Sequence, residues 1–312
     1  MTTRTAIATA RIAAAALLLG AACRCRAATQ AGATASNRTL RAYHIGNSLT
    51  FGVFPNDQTD KLFASRGGAY VRGMHILWGS PLSRIWDNPS SNNVTLAPFG
   101  TFSHALTQFD WDVLTLQPYA SGITGDKGDL AECRNFIKLA TRRSPGVQVY
   151  IYATWPPRPG TNAPDAFART WDAQYTGQRT GGVPCRDYCQ NLVQMLRREL
   201  PAVQNPVLLI PAGDVLYELD GMMRAGRVPG FTSVRDLYKD GIHLNATGNY
   251  AVKCTFYAVL FRQSPVGLPN AAQCEKVSDT VARIIQETVW NVVCANELTG
   301  CAPAEDAGTA AK

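Results

Sequence analysis

The sequence predicts an α/β protein, a parallel sheet of about five strands with helices on both faces. Three observations predict it. Five short apolar runs, at residues 40–45, 69–77, 111–117, 147–153 and 207–210, alternate with longer stretches of helical periodicity, the pattern of a parallel sheet. Each of the first four runs ends in a glycine-, proline- or tryptophan-containing loop: Gly46, Trp78-Gly79, Gln117-Pro118 and Trp155-Pro156. The 312 residues are 46% hydrophobic and only 17% charged, enough apolar material for a substantial core.

Taken in order, the chain opens with Arg4 and Arg11 ahead of an apolar run at residues 12–22. That run has signal-peptide length and is too short for a membrane span. Residues 1–28 are therefore expected to be an export signal cleaved between 22 and 28, giving a secreted or periplasmic protein. Lipid attachment at Cys23, a membrane tether, is the alternative, although Gly20 stands where bacterial lipoprotein signals usually carry leucine. Residues 29–37 read as a linker and 38–296 as one domain. Within it, 40–45 is the first strand, with Ser48 in the loop beyond. Residues 57–65 form a short helix, 69–77 the second strand, and 87–100 an Asn/Ser/Pro-rich loop. The third strand, 111–117, stops at Pro118. Apolar positions 130, 133, 136, 137 and 140 have helical spacing, so 130–143 is a helix before the fourth strand at 147–153. A polar loop leads to a helix at 189–200, the fifth strand at 207–210, and helices at 214–224, 246–261 and 277–293. Residues 297–312 are a tail, rich in small residues from 302 onward.

The formal charge is +7, and subtracting the four arginines of the first 26 residues leaves +3. No basic run is interleaved with aromatics, which argues against a nucleic-acid partner. Seven cysteines lie beyond the leader. Cys254 sits in an apolar helical stretch as a core residue. Cys185 and Cys189, and the trio Cys274, Cys294 and Cys301, are the expected bridge partners of an exported chain, with connectivity open. There is no redox Cys-x-x-Cys and no zinc-finger spacing.

In a parallel sheet with helices on both faces the ligand site lies beyond the carboxyl ends of the strands. The first four strands deliver Ser48, Gly79, Gln117 and Trp155 to that rim. A serine hydroxyl needs a base, usually a histidine oriented by a carboxylate. Of the four histidines, His44 and His75 lie in strands and His104 has no companion signal. His243 stands in a glycine-containing loop three residues after Asp240. The plainer reading of Asp240 is a turn or cap residue before a helix, and that of Ser48 a polar turn residue. A metal hydrolase would need three or four ligands, and the other histidines are poorly placed to supply them.

Gly46-Asn47-Ser48-Leu49 after a strand, with Asp240-x-x-His243 near the C-terminus, resembles the SGNH (GDSL-like) hydrolase superfamily, in the branch whose first motif reads Gly-Asn-Ser. The resemblance spans residues 40–262. It implies a flavodoxin-like three-layer α/β/α sandwich and ester hydrolysis through an acyl-enzyme, without metal or cofactor. It implies Ser48 as nucleophile, His243 as base and Asp240 as its orienting acid. The oxyanion hole would use the N–H groups of Ser48 and Gly79. The usual Gly-x-Asn-Asp motif is missing, and Gln117 is expected to supply the amide that asparagine gives elsewhere. Trp78 and Trp155, with Trp86 and Tyr119 nearby, are expected to present aromatic faces to a sugar. Phe51, Val53 and Phe54 would alternatively line an acyl pocket. The expectation is an exported esterase that removes small acyl (acetyl) groups from a carbohydrate or similar small ester. The competing expectation is a non-catalytic carbohydrate-binding or surface protein on the same fold. Sequons occur at Asn37, Asn93 and Asn245, the last too near His243 for a glycan to be expected there.

Overall fold

Strands buried on both faces read as unbroken apolar runs, and the runs in this sequence form such strands. The computed structural model describes residues 39–119, 121–177, 184–270 and 277–301. In chain order the elements are β1 (Thr39–Gly46), α1 (Ser48–Val53), α2 (Gln58–Ala64), β2 (Ala69–Ile76), α3 (Leu82–Asp87), β3 (Val94–Thr95), α4 (Phe102–Gln108), β4 (Val113–Leu116), α5 (Asp129–Arg143), β5 (Gln148–Ala153), α6 (Ala166–Trp171), α7 (Arg186–Glu199), β6 (Leu208–Pro211), α8 (Ala212–Arg224), α9 (Ala246–Phe261) and α10 (Asp279–Ala295). Short 3-10 turns lie at Val234–Leu237 and Glu297–Thr299.

The sheet order is β3-β2-β1-β4-β5-β6. All neighbours are parallel except β3, which pairs antiparallel with β2 at the edge. The chain leaves β1 toward β2 on one side and returns to β4 on the other. That reversal opens a crevice at the carboxyl ends of β1 and β4. Alternate residues of a strand face opposite sides, and the packing follows. His44 of β1 and Tyr152 of β5 both meet Phe256 of α9, whereas His75 of β2 meets Phe102 of α4. Helices α8, α9 and α10 pack on one another in one layer, and α3, α4, α5 and α7 form a second set of neighbours. The result is a three-layer α/β/α sandwich, with β4 wholly buried and α9 buried almost all round.

The structure departs from expectation in several places. Helices α3, α4 and α6 occupy stretches with no helix expected, and the 87–100 loop contains β3. Ser48 opens helix α1 and is not in a loop, because Asn47 caps that helix immediately after the strand. Cys185 and Cys189 are not bridged. Both are buried thiols, the first the N-cap of α7 and the second on its core-facing side among Tyr188, Leu192 and Val193. Cys301 is likewise a buried thiol, its Sγ 3.8 Å from the Ala258 carbonyl. The leader with Cys23, the linker with Asn37, Cys274 and residues 302–312 lie outside the described residues. Among the described residues no helix is long and apolar enough to cross a membrane.

Candidate active site

Strand β1 ends at Gly46, and the chain turns directly into α1. Asn47 caps the helix, its Oδ1 accepting from the Leu49 N–H at 3.1 Å, the usual work of an N-cap asparagine. Ser48 is thereby the first helical residue and remains half-buried. Its N–H donates to no protein acceptor among the described residues.

Asp240 and His243 come from the loop between the Val234–Leu237 turn and α9. Asp240 Oδ1 accepts from the backbone N–H of Ile242 at 2.9 Å and of His243 at 2.8 Å. His243 Nδ1 lies 2.9 Å from Asp240 Oδ2 and 3.1 Å from Oδ1. The Ile242 and His243 N–H bonds, and then the imidazole, hold the Asp240 carboxyl well below the usual carboxylate range. An ionised carboxylate only accepts, so Nδ1 carries the ring proton and Nε2 presents its lone pair. Ser48 Oγ lies 2.9 Å from that Nε2. One continuous chain of hydrogen bonds therefore runs from Ser48 through His243 to Asp240. It is open to water, with 41% of the His243 side chain and 49% of the Asp240 side chain exposed.

Three hydrogen bonds from the exit of β5 hold this loop. Trp155 Nε1–H donates to the Ile242 carbonyl, Tyr238 Oη–H to the Pro156 carbonyl, and the Arg158 N–H to the Gly241 carbonyl, each at 2.8 Å. This corrects the expectation for Trp155. It is 1% exposed, so its ring cannot receive a sugar, and its indole N–H anchors the loop instead. Trp86 is also packed inward, against Phe102 and Phe136, and Tyr119 is half-buried. Val53 and Phe54 are core residues, Phe54 stacking on His44, which removes them from any acyl pocket. Trp78 does stand in the open at 42% exposure, with Phe51 against it edge-on at 5.1 Å. Gly79 follows it with φ +57°, exposed, its N–H without a protein acceptor among the described residues.

Gln117 lies at the end of β4 and faces the turn at residues 47–50. Its Oε1 accepts from Asn47 N–H, Thr50 N–H and Thr50 Oγ1–H, and its Nε2 donates to Asn47 Oδ1. The amide expected in the oxyanion hole is committed to that turn. The remaining histidines are structural. His44 lies buried between Thr115 Oγ1 and Tyr70 Oη, each at 2.7 Å. His75 Nε2–H donates to the Ser91 carbonyl while Nδ1 accepts from Phe102 N–H, and His104 is exposed against Phe109. The side chains of the Asn93 and Asn245 sequons are engaged, Asn93 Oδ1 by Trp78 N–H and Asn245 as the cap of α9. Among the described residues no group of three or more His, Cys, Asp or Glu gathers as a metal site. Sequence reasoning missed Gly46, Asn47, Thr50 and Tyr238 as supports of the site. The first two stood in the Gly-Asn-Ser run, whose middle residue carried no chemistry of its own.

No family model matches the chain, and no curated protein matches it. Solved structures do. A DUF4886 family protein from Bacteroides uniformis superposes with a TM-score of 0.55 at 16% identity, over 82% of this chain and 95% of that one. A family 3 carbohydrate esterase from Clostridium thermocellum gives 0.41 at 14% identity, over 72% of this chain and 98% of that one. A possible lipase from Chitinophaga pinensis gives the same score, identity and coverage. At 16% identity the likeness to the Bacteroides uniformis protein bears on the fold alone.

Proposed function

We propose that this chain is a serine esterase of the SGNH type, working through a covalent acyl-enzyme. The observation that carries the proposal is the hydrogen-bonded series Ser48 Oγ to His243 Nε2 to Asp240, with Nδ1–H directed at the carboxylate. In this reading Ser48 Oγ attacks the ester carbonyl as its proton passes to Nε2. The Asp240 carboxylate stabilises the imidazolium that forms. The tetrahedral oxyanion is met by the N–H groups of Ser48 and Gly79, both without other protein acceptors among the described residues. Collapse expels the alcohol, which takes the proton from Nε2–H. A water molecule, deprotonated by His243, then attacks the acyl-serine, and Ser48 leaves with the proton.

The substrate proposed is a small acyl ester, an acetyl group on a carbohydrate. Trp78 with Phe51 offers an exposed aromatic surface beside Gly79, suited to the C–H face of a sugar. The neighbours that would have lined a long acyl groove, Val53 and Phe54, are buried in the core. The leader at residues 1–28 supports export. The test is hydrolysis of p-nitrophenyl acetate and butyrate by the protein and its Ser48→Ala variant, with fluorophosphonate labelling in parallel. Acetate is expected to exceed butyrate, and Ser48→Ala to lose at least about 10³-fold in turnover. A protein that neither hydrolyses nor labels at Ser48 would be a binding protein on this fold.

A further inference from the structure

We infer that Gln117, Asn47 and Thr50 form a buried positioning unit that aims Ser48 and spaces the two oxyanion N–H groups, with Gln117 acting through the turn and not on substrate. This rests on the esterase reading above. Gln117 Oε1 takes three hydrogen bonds from residues on either side of Ser48: Asn47 N–H at 3.0 Å, Thr50 N–H at 3.2 Å and Thr50 Oγ1–H at 2.7 Å. Three converging donors admit only an acceptor, so the amide cannot be flipped. That orientation directs Nε2 to Asn47 Oδ1 at 2.9 Å. Asn47 Oδ1 also receives Leu49 N–H, and Asn47 Nδ2 extends at 3.4 Å to the carbonyl of Ser80. Ser80 directly follows Gly79. One buried side-chain pair therefore ties the end of β4, the nucleophile turn and the loop that carries the second oxyanion donor.

The surroundings leave little freedom. Gln117, Asn47, Thr50 and Ser80 are each 1% exposed, where an unpaired amide is costly. Gly46 admits the unit because it has no side chain. A Cβ there would stand 2.3 Å from Thr50 Oγ1, 2.6 Å from Gln117 Oε1 and 2.8 Å from Gln117 Cβ. Asparagine at 117 would fall one methylene short of the same partners. An oxyanion donor would have to aim at the substrate, whereas each contact formed here aims at residues 47–50.

The test compares kcat and KM of wild type, Thr50→Val, Thr50→Ser, Gln117→Asn, Gln117→Leu and Thr50→Val/Gln117→Leu on p-nitrophenyl acetate, with thermal unfolding of each. Thr50 is expected to report the unit because its hydroxyl makes the shortest contact. Thr50→Val should lower kcat about 10-fold with KM nearly unchanged, and Thr50→Ser, which keeps the hydroxyl, should stay within about 2-fold of wild type. Gln117→Asn and Gln117→Leu should each lose about 100-fold, and the double variant no more than Gln117→Leu alone, since contacting members of one unit are non-additive. If Thr50→Val matches Thr50→Ser, or if the losses multiply, or if Gln117→Asn is as active as wild type, the inference is overturned and Gln117 is a direct donor or a bystander. Should the Gln117 variants fail to fold, the Thr50 pair decides alone. Failure of the esterase reading looks different: wild type itself would not hydrolyse ester or label at Ser48.

Discussion

Asp240 is half-exposed, yet its carboxyl titrates well below the usual range, because two backbone N–H groups and the imidazole all donate to it. The loop itself makes the charge stable. Asp240 is therefore already ionised well below neutral pH, and its protonation does not limit the proposed activity there. Asp240→Asn is expected to keep an oxygen for the Ile242 and His243 N–H groups but to turn an NH₂ toward Nδ1. The imidazole then accepts at Nδ1 and carries its proton at Nε2, facing Ser48 with the wrong group. A loss in kcat on the order of 10²- to 10⁴-fold follows from that tautomer, with unfolding temperature little changed. Retention of most activity would show that the carboxylate serves only the turn.

At the scale of elements, the exit of β5 decides where His243 sits. Trp155, Pro156 and Arg158 each bond to the loop at 238–242, so a strand that adds no side chain to the Ser48–His243–Asp240 series holds that loop in place. Trp155→Phe keeps a ring in the core but removes the bond to Ile242 and the volume of the second ring. It is expected to cost about 2–3 kcal/mol in stability and several-fold in kcat at constant KM, read by denaturant unfolding and steady-state kinetics. The role of Trp155 was not legible in the sequence. Strand order placed it at the rim, but the sequence does not say which way an indole turns. The sheet was legible because its strands are buried on both faces and read as plain apolar runs. Helix α9 was legible because it is mostly apolar along its length, with Lys253 its one charged residue. Helices α3, α4 and α6 escaped because six or seven residues are too short for a 3.6-residue pattern to repeat. Such short helices are held by packing, as where Trp86 of α3 lies on Phe102 and Phe136. The Asp240–His243 pair was readable because its members are neighbours in sequence. The Gln117 network was not, because its partners are joined only across the sheet.

Across the whole molecule, the buried His44 sets a limit on acid tolerance. Burial, and then the charge of Arg72, push its pKa well down, and burial lowers His75 in the same direction. Below about pH 6.5 the unfolded chain takes up protons that the native imidazoles refuse. Stability is thus fully present above that pH and declines as pH falls toward the native pKa values. The expected slope is at most about 1.4 kcal/mol per pH unit for each histidine. His44→Gln should be less stable than wild type at pH 7.5, yet lose less on passing to pH 5, measured by urea unfolding at both. An equal loss would exclude His44 as a source. The separation of Ser48 from the Asp240–His243 pair bears on how the proposed site comes together. Asp240 and His243 lie three residues apart and are set by one turn, whereas Ser48 lies 195 residues from His243. The pair can assemble locally, but Ser48 meets it only once β1 is paired in the sheet and α9 packs beside it. On the proposed esterase reading, regain of turnover during refolding reports the closing of that long-range contact, and a chain that has recovered all its helix without it remains silent.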